Sequence, residues 1–123
     1  MVDTNSIIFV VDNDDFVREA LRALLKSTGF KVEVFESAEA FLNSGHHQRK
    51  GLLVLDVRMP GMSGLKLQRH LADSGIAMPI VFITAHEDNQ IRTKAMAAGG
   101  VAFLQKPFED HALLDAIDRA FGA

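Results

Sequence analysis

The sequence predicts an α/β domain, one open parallel sheet covered by helices on both faces. Two observations carry this. Apolar runs of four or five residues recur along the chain, most of them without the polar alternation of a half-exposed strand, and segments of helical period separate them. Strand–helix units in series form a parallel sheet, because each parallel pair needs a crossover and crossovers within one sheet are right-handed. At 123 residues the chain is long enough to bury a core without disulfides or a structural metal. No shift in composition divides it, so residues 1–123 are expected to form one domain.

The first run, Ile7–Val11, is wholly apolar and ends at Asp12. From about Asp14 to Thr28 the apolar residues Phe16, Val17, Ala20, Leu21, Leu24 and Leu25 recur at helical spacings. Asp14 or Asp15 is placed to cap the start of that helix, and Gly29 to stop it. Lys31–Phe35 alternates like an edge strand covered on one face, and Ser37, followed by Glu39 and Phe41, opens a short helix. Gly45 to Gly51 reads as a loop. Leu52–Leu55 is a second wholly apolar run and again ends in an acid, Asp56; Pro60, Gly61 and Gly64 break the segment that follows. A helix from Leu65 to about Ser74 leads to the strand Ile80–Thr84, and another from about Asp88 to Ala98 leads to Val101–Gln105. The last helix, after Lys106-Pro107-Phe108, carries Leu113, Leu114, Ile117, Ala120 and Phe121.

Composition excludes several classes of function. The net charge is −3 and the thirteen lysines and arginines are scattered, which argues against a nucleic-acid-binding face on this domain. The absence of cysteine rules out disulfides and thiolate metal sites and suits a reducing cytoplasm. The longest mostly apolar stretch, Ile76 to Ala85, contains Pro79 and is too short to span a bilayer, and the N-terminal MVDTNS lacks a signal-peptide pattern. A cytoplasmic protein without membrane contact is the expectation.

In open α/β sheets, ligands bind outside the carboxyl ends of the strands, where strand order reverses. Asp12, Asp56, Thr84 and Lys106 each terminate an apolar run. Polar residues mark the emergence of any strand into solvent. Two acids, a hydroxyl and a lysine converging on one rim, however, form the donor set of a phosphoryl-transfer site. Mg²⁺ takes oxygen ligands, typically one or two carboxylates with water and phosphate oxygens. Thr84 and Lys106 would stabilise the remaining phosphoryl oxygens, and Asp56 would be the nucleophile, forming an aspartyl phosphate.

The motifs VLDVRMPGMSG around Asp56, ITAH around Thr84 and FLQKPF around Lys106 carry a resemblance to the receiver domain of bacterial two-component response regulators, from about Ile7 to Phe121. With SAEAFL at residues 37–42, the sequence is most similar to receivers attached to a LuxR-type helix-turn-helix domain, the nitrogen-fixation-regulator branch. The resemblance implies a flavodoxin-like (βα)5 sheet with strand order 2-1-3-4-5. It implies a phosphoacceptor and not an enzyme, with Asp56 taking the phosphoryl group of a histidine kinase's phosphohistidine and losing it by slow autodephosphorylation. Mg²⁺, replaceable by Mn²⁺, would be held by Asp12, by Asp56 and by the backbone carbonyl of Arg58. Thr84 and Lys106 would contact the phosphoryl group, with a cis Lys106-Pro107 bond aiming the ammonium back at the site. Phe103 matches an aromatic that turns inward as the threonine moves; a core aromatic at a strand end, with no switching role, fits equally well. Arg58 and His86 match positions that tune phosphoryl lifetime, and solvated loop residues fit those two places equally. His46, His47, His70 and His111 have no metal-ligand spacing.

One residue departs from the family pattern. Where a second acid usually ligates the metal, this chain has Asn13, whose amide oxygen can coordinate Mg²⁺ but brings no charge. A working site with weakened Mg²⁺ affinity is the expectation. Asp14 either reaches the metal or caps the first helix, and the cap is favoured. Haloacid-dehalogenase phosphatases also use a strand-end aspartate, but carry a second acid where this chain has Arg58. A nucleotide-binding fold lacks GxxxxGK[ST] or GxGxxG at the first helix. A degenerate receiver that signals without phosphorylation is the remaining rival. The implied partners are a sensor histidine kinase and, on phosphorylation, a second copy of the chain through its fourth helix, fifth strand and fifth helix. Transcription would be regulated through a DNA-binding domain outside these residues.

Overall fold

The structure, a computed structural model, describes residues 7–86 and 88–122. The elements follow the predicted order. They are β1 (Ile7–Val11), α1 (Asp15–Ser27), β2 (Lys31–Phe35), α2 (Ala38–Asn43), β3 (Gly51–Asp56), α3 (Gly64–Asp73), β4 (Ile80–Thr84), α4 (Asn89–Ala97), β5 (Ala102–Gln105) and α5 (Asp110–Gly122). The strands pair in parallel in the order β2-β1-β3-β4-β5, so the reversal of strand order falls between β1 and β3.

Alternate residues of the central strands serve two cores. Ile7, Phe9, Val11, Leu53, Leu55 and Phe82 face α2, α3 and α4, meeting Phe41, Leu67, Leu71 and Ala95. Ile8, Val10, Leu52, Val54, Val81 and Ile83 face α1 and α5, meeting Leu21, Leu25, Leu113, Ala116 and Ile117. Burial on both faces is why these strands read as unbroken apolar runs. Each fully buried Leu, Ile or Phe contributes about 1.5–3 kcal/mol.

Four local readings change. Phe16 is 88 % exposed and Ala20 is also exposed, so the face of α1 on the sheet is narrower than the periodicity implies and consists of Val17, Leu21, Leu24 and Leu25. Phe16 lies in the first turn of the helix. The edge strand β2 shows no alternation, with Val32 to Phe35 all half-buried. The expected loop from Gly45 to Gly51 contains a 3₁₀ turn at His46–Gln48, and β3 extends one residue further at each end than its apolar run. Among the described residues no helix is long and apolar enough to cross a membrane.

Candidate functional site

Asp12 and Asp56 follow or end the two central strands on either side of the point where strand order reverses, which brings their carboxylates side by side. Asp12 is fully buried and Asp56 is 5 % exposed. The backbone of Asp12 is fixed by its N–H donating to the Phe35 carbonyl at 3.1 Å, and its Oδ1 accepts the Asp14 N–H at 2.9 Å. Lys106 reaches in from the end of β5. Its ammonium lies 2.8 Å from Asp12 Oδ2 and 3.7 Å from Asp56 Oδ2, a single cation shared by two carboxylates. The Lys106-Pro107 bond is cis.

Asp56 is the electrostatically strained member. Burial first, and then the neighbouring Asp12 carboxylate, push its pKa up from 3.8 to about 6, against the pull of the Lys106 ammonium and the Arg58 N–H. A buried acid poised near neutrality, with a positive group within reach, has the character of a functional site.

The other predicted residues are arranged less closely. Thr84 is buried, but its hydroxyl is engaged in its own turn, donating to the His86 carbonyl at 3.1 Å and accepting the His86 N–H at 3.2 Å. The His86 residue itself is exposed. Lys106 and Thr84 are nonetheless tied together, the Lys106 N–H donating to the Thr84 carbonyl at 2.7 Å. Arg58 is exposed and its guanidinium lies 3.7 Å from Asp88, the N-cap of α4, while its N–H contacts Asp56 Oδ1 at 3.4 Å. Phe103 is half-buried, 6.1 Å from the Phe82 ring and beneath the Arg92 guanidinium.

Asn13 is exposed. Asp14 is the N-cap of α1, its Oδ1 accepting from the Phe16 and Val17 N–H groups, as the favoured of the two readings has it. Asp15 pairs with Arg18 and takes no part in the cap.

Two oxygen-bearing carboxylates already sharing a cation suit a hard ion such as Mg²⁺. Among the described residues no group of three or more His, Cys, Asp or Glu converges. For such an ion the side chains would supply two carboxylates and leave the other positions to backbone carbonyl, water and phosphate oxygens, the usual Mg²⁺ arrangement.

Two features of the loop after Asp56 escaped the sequence reading. A Cβ on Gly64 would run into the Asp56 carbonyl oxygen, so glycine lets the start of α3 close onto the end of β3, where the Gly64 N–H donates to the Val57 carbonyl at 2.9 Å. Glu39, from α2, accepts the Met62 N–H at 2.9 Å and fills the space beside Gly61, whose φ is +77°. The glycines were visible as breakers; a bond spanning 23 residues leaves no local pattern.

Comparison with known proteins agrees with this architecture. The chain belongs to the response regulator receiver domain family, whose model matches residues 8–118. Response regulator protein TmoT of Ectopseudomonas mendocina is 48% identical over 120 residues, covering 98% of this chain and 54% of that protein. Transcriptional regulatory protein FixJ of Rhizobium meliloti (strain 1021) is 44% identical over 117 residues, covering 95% of this chain and 57% of FixJ. The chain thus spans about half the length of these relatives. The response regulator StyR superposes with a TM-score of 0.89 at 52% identity, over 96% of this chain and 60% of that one. FixJ-N also gives 0.89, at 43% identity over 99% and 96%. The resemblance to the LuxR-type, nitrogen-fixation-regulator branch read from the motifs is in line with these relatives.

Proposed function

We propose that this receiver accepts a phosphoryl group on Asp56 from the phosphohistidine of a sensor histidine kinase. An Asp56 carboxylate oxygen attacks phosphorus, the P–N bond breaks, and the departing imidazole nitrogen keeps the bond's electron pair. The aspartyl phosphate is lost again by slow hydrolysis. Asp12, Asp56 and the Arg58 carbonyl would hold Mg²⁺, which when bound neutralises developing charge on the phosphoryl oxygens. Lys106 moves from the carboxylates to a phosphoryl oxygen, and the Thr84 hydroxyl leaves its turn to do the same. The added charge, about −1.5 to −2, redistributes the population of α4, β5 and α5 toward a form that pairs with a second copy or releases an effector module. By analogy with the transcriptional regulatory protein FixJ, the switch would regulate transcription, in the cytoplasm, through a DNA-binding domain outside these residues.

The observation that carries the proposal is the single ammonium shared by two buried carboxylates at the strand-order reversal. Asn13, and the absence of a third converging acid among the described residues, favour the rival, a receiver that signals by binding alone. Incubation with acetyl phosphate and Mg²⁺, followed by intact mass, separates the two. One phosphoryl adduct, missing in Asp56→Ala, is expected; no adduct under conditions that label an ordinary receiver favours the rival.

A further inference from the structure

Arg18 plays no part in the site described above, yet its side chain is only 15% exposed and lies against the Asp12 loop. From the first turn of α1 it reaches back. Nη1 donates to the Asp12 carbonyl oxygen at 2.6 Å, and Nη2 pairs with the Asp15 carboxylate. The planar fork joins the residue that follows β1 to the residue that begins α1, closing Asn13 and Asp14 into a fixed loop. The same loop carries the Asp14 N–H bond that orients the Asp12 carboxylate.

A positive charge here opposes a metal site through simple repulsion, in a loop where Asn13 already replaces an acid. The geometry nonetheless points to a gain. The bonds of Arg18 run to the backbone of Asp12 and to Asp15, while Asp12 Oδ1 and Oδ2 are taken by the Asp14 N–H and Lys106. We propose that Arg18 is a positioning residue: it clamps the Asp12–Asp15 loop, keeps the Asp12 carboxylate aimed at Asp56, and so tightens Mg²⁺ binding despite its own charge. This inference rests on the phosphoacceptor reading.

Calorimetric titration of Mg²⁺ into the metal-free wild type, Arg18→Ala and Arg18→Lys tests it, together with hydrogen exchange of the Asp14 amide without metal. Lysine keeps the charge and loses the fork. Positioning predicts affinity about five-fold weaker in both variants and faster Asp14 exchange in both. Repulsion alone predicts tighter binding in Arg18→Ala and no change in Arg18→Lys; that pattern, or unaltered Asp14 exchange, overturns the proposal. Should Arg18→Ala fail to fold, Arg18→Lys carries both readouts. A wild type that takes up no Mg²⁺ defeats the phosphoacceptor reading and this inference with it, whereas a wild type that binds with variants that match it defeats the inference alone.

Discussion

The Asp12 end of the rim and the Thr84 end are built to different tolerances. At Asp12 the backbone N–H, the backbone carbonyl and both carboxylate oxygens each have a partner, supplied by Phe35, Arg18, Asp14 and Lys106. At the other end the Thr84 hydroxyl is bonded, among the described residues, only within its own turn, and the adjoining α4 buries a single residue, Ala95. Besides that residue α4 is held by half-buried Ile91 against the core, by Arg92 over the Phe103 ring, by Gln68, whose Nε2 donates to the Ala95 carbonyl at 3.0 Å, and by the Arg58–Asp88 pair at 3.7 Å. An exposed pair of that kind contributes about 0–1 kcal/mol. The contrast teaches that the carboxylates proposed as metal ligands are held in place in advance, while the segment proposed to switch is more lightly attached, so that a modest free energy suffices to redistribute it.

The largest break in this arrangement comes from the shared cation. Lys106→Ala leaves two buried carboxylates facing each other and is expected to cost the metal-free protein about 2–4 kcal/mol at pH 7. Urea denaturation measures this, and added Mg²⁺ should restore part of the loss. Asp56→Asn is expected to act in the opposite direction. Because Asp56 holds its proton more tightly folded than unfolded, the metal-free protein loses stability as pH rises from about 4 to about 6, and the loss is fully developed above that. The amide has no proton to lose, so it should stabilise by about 2–3 kcal/mol at pH 7 and by almost nothing below pH 4. Denaturation curves across that pH range that stay parallel for the two proteins would contradict this.

Two smaller effects sharpen the contrast between the ends. Gln68→Ala removes the buried anchor of α4 and should cost about 1–2 kcal/mol, with faster amide exchange in α4 and none in α1. Asp14→Ala removes a helix cap and should cost about 1 kcal/mol while leaving Mg²⁺ affinity unchanged. A weakened affinity would return Asp14 to the metal.

Much of this was legible because burial on both faces writes itself into composition. The runs Ile7–Val11, Leu52–Leu55 and Ile80–Ile83 are apolar throughout, and each gives way to the residue that meets at the rim. Periodicity misled at Phe16, whose spacing matches the apolar face of α1 although the residue is exposed in the first turn. The anchors were illegible for another reason. Glu39 to Met62 and Gln68 to Ala95 are side-chain bonds to backbone groups 23 and 27 residues away, and any backbone offers the same groups. Arg18 stood three residues from Asp15, a visible helical pair, but its bond to the Asp12 carbonyl depends on how the chain turns out of β1.

The measurement closest to the central claim is a calorimetric Mg²⁺ titration of the wild type beside Asp12→Ala and Asn13→Asp. If the buried pair of Asp12 and Asp56 is the metal site, Asp12→Ala abolishes the binding heat and Asn13→Asp, by restoring an acid, tightens the affinity. Binding of wild-type strength in Asp12→Ala would contradict the account.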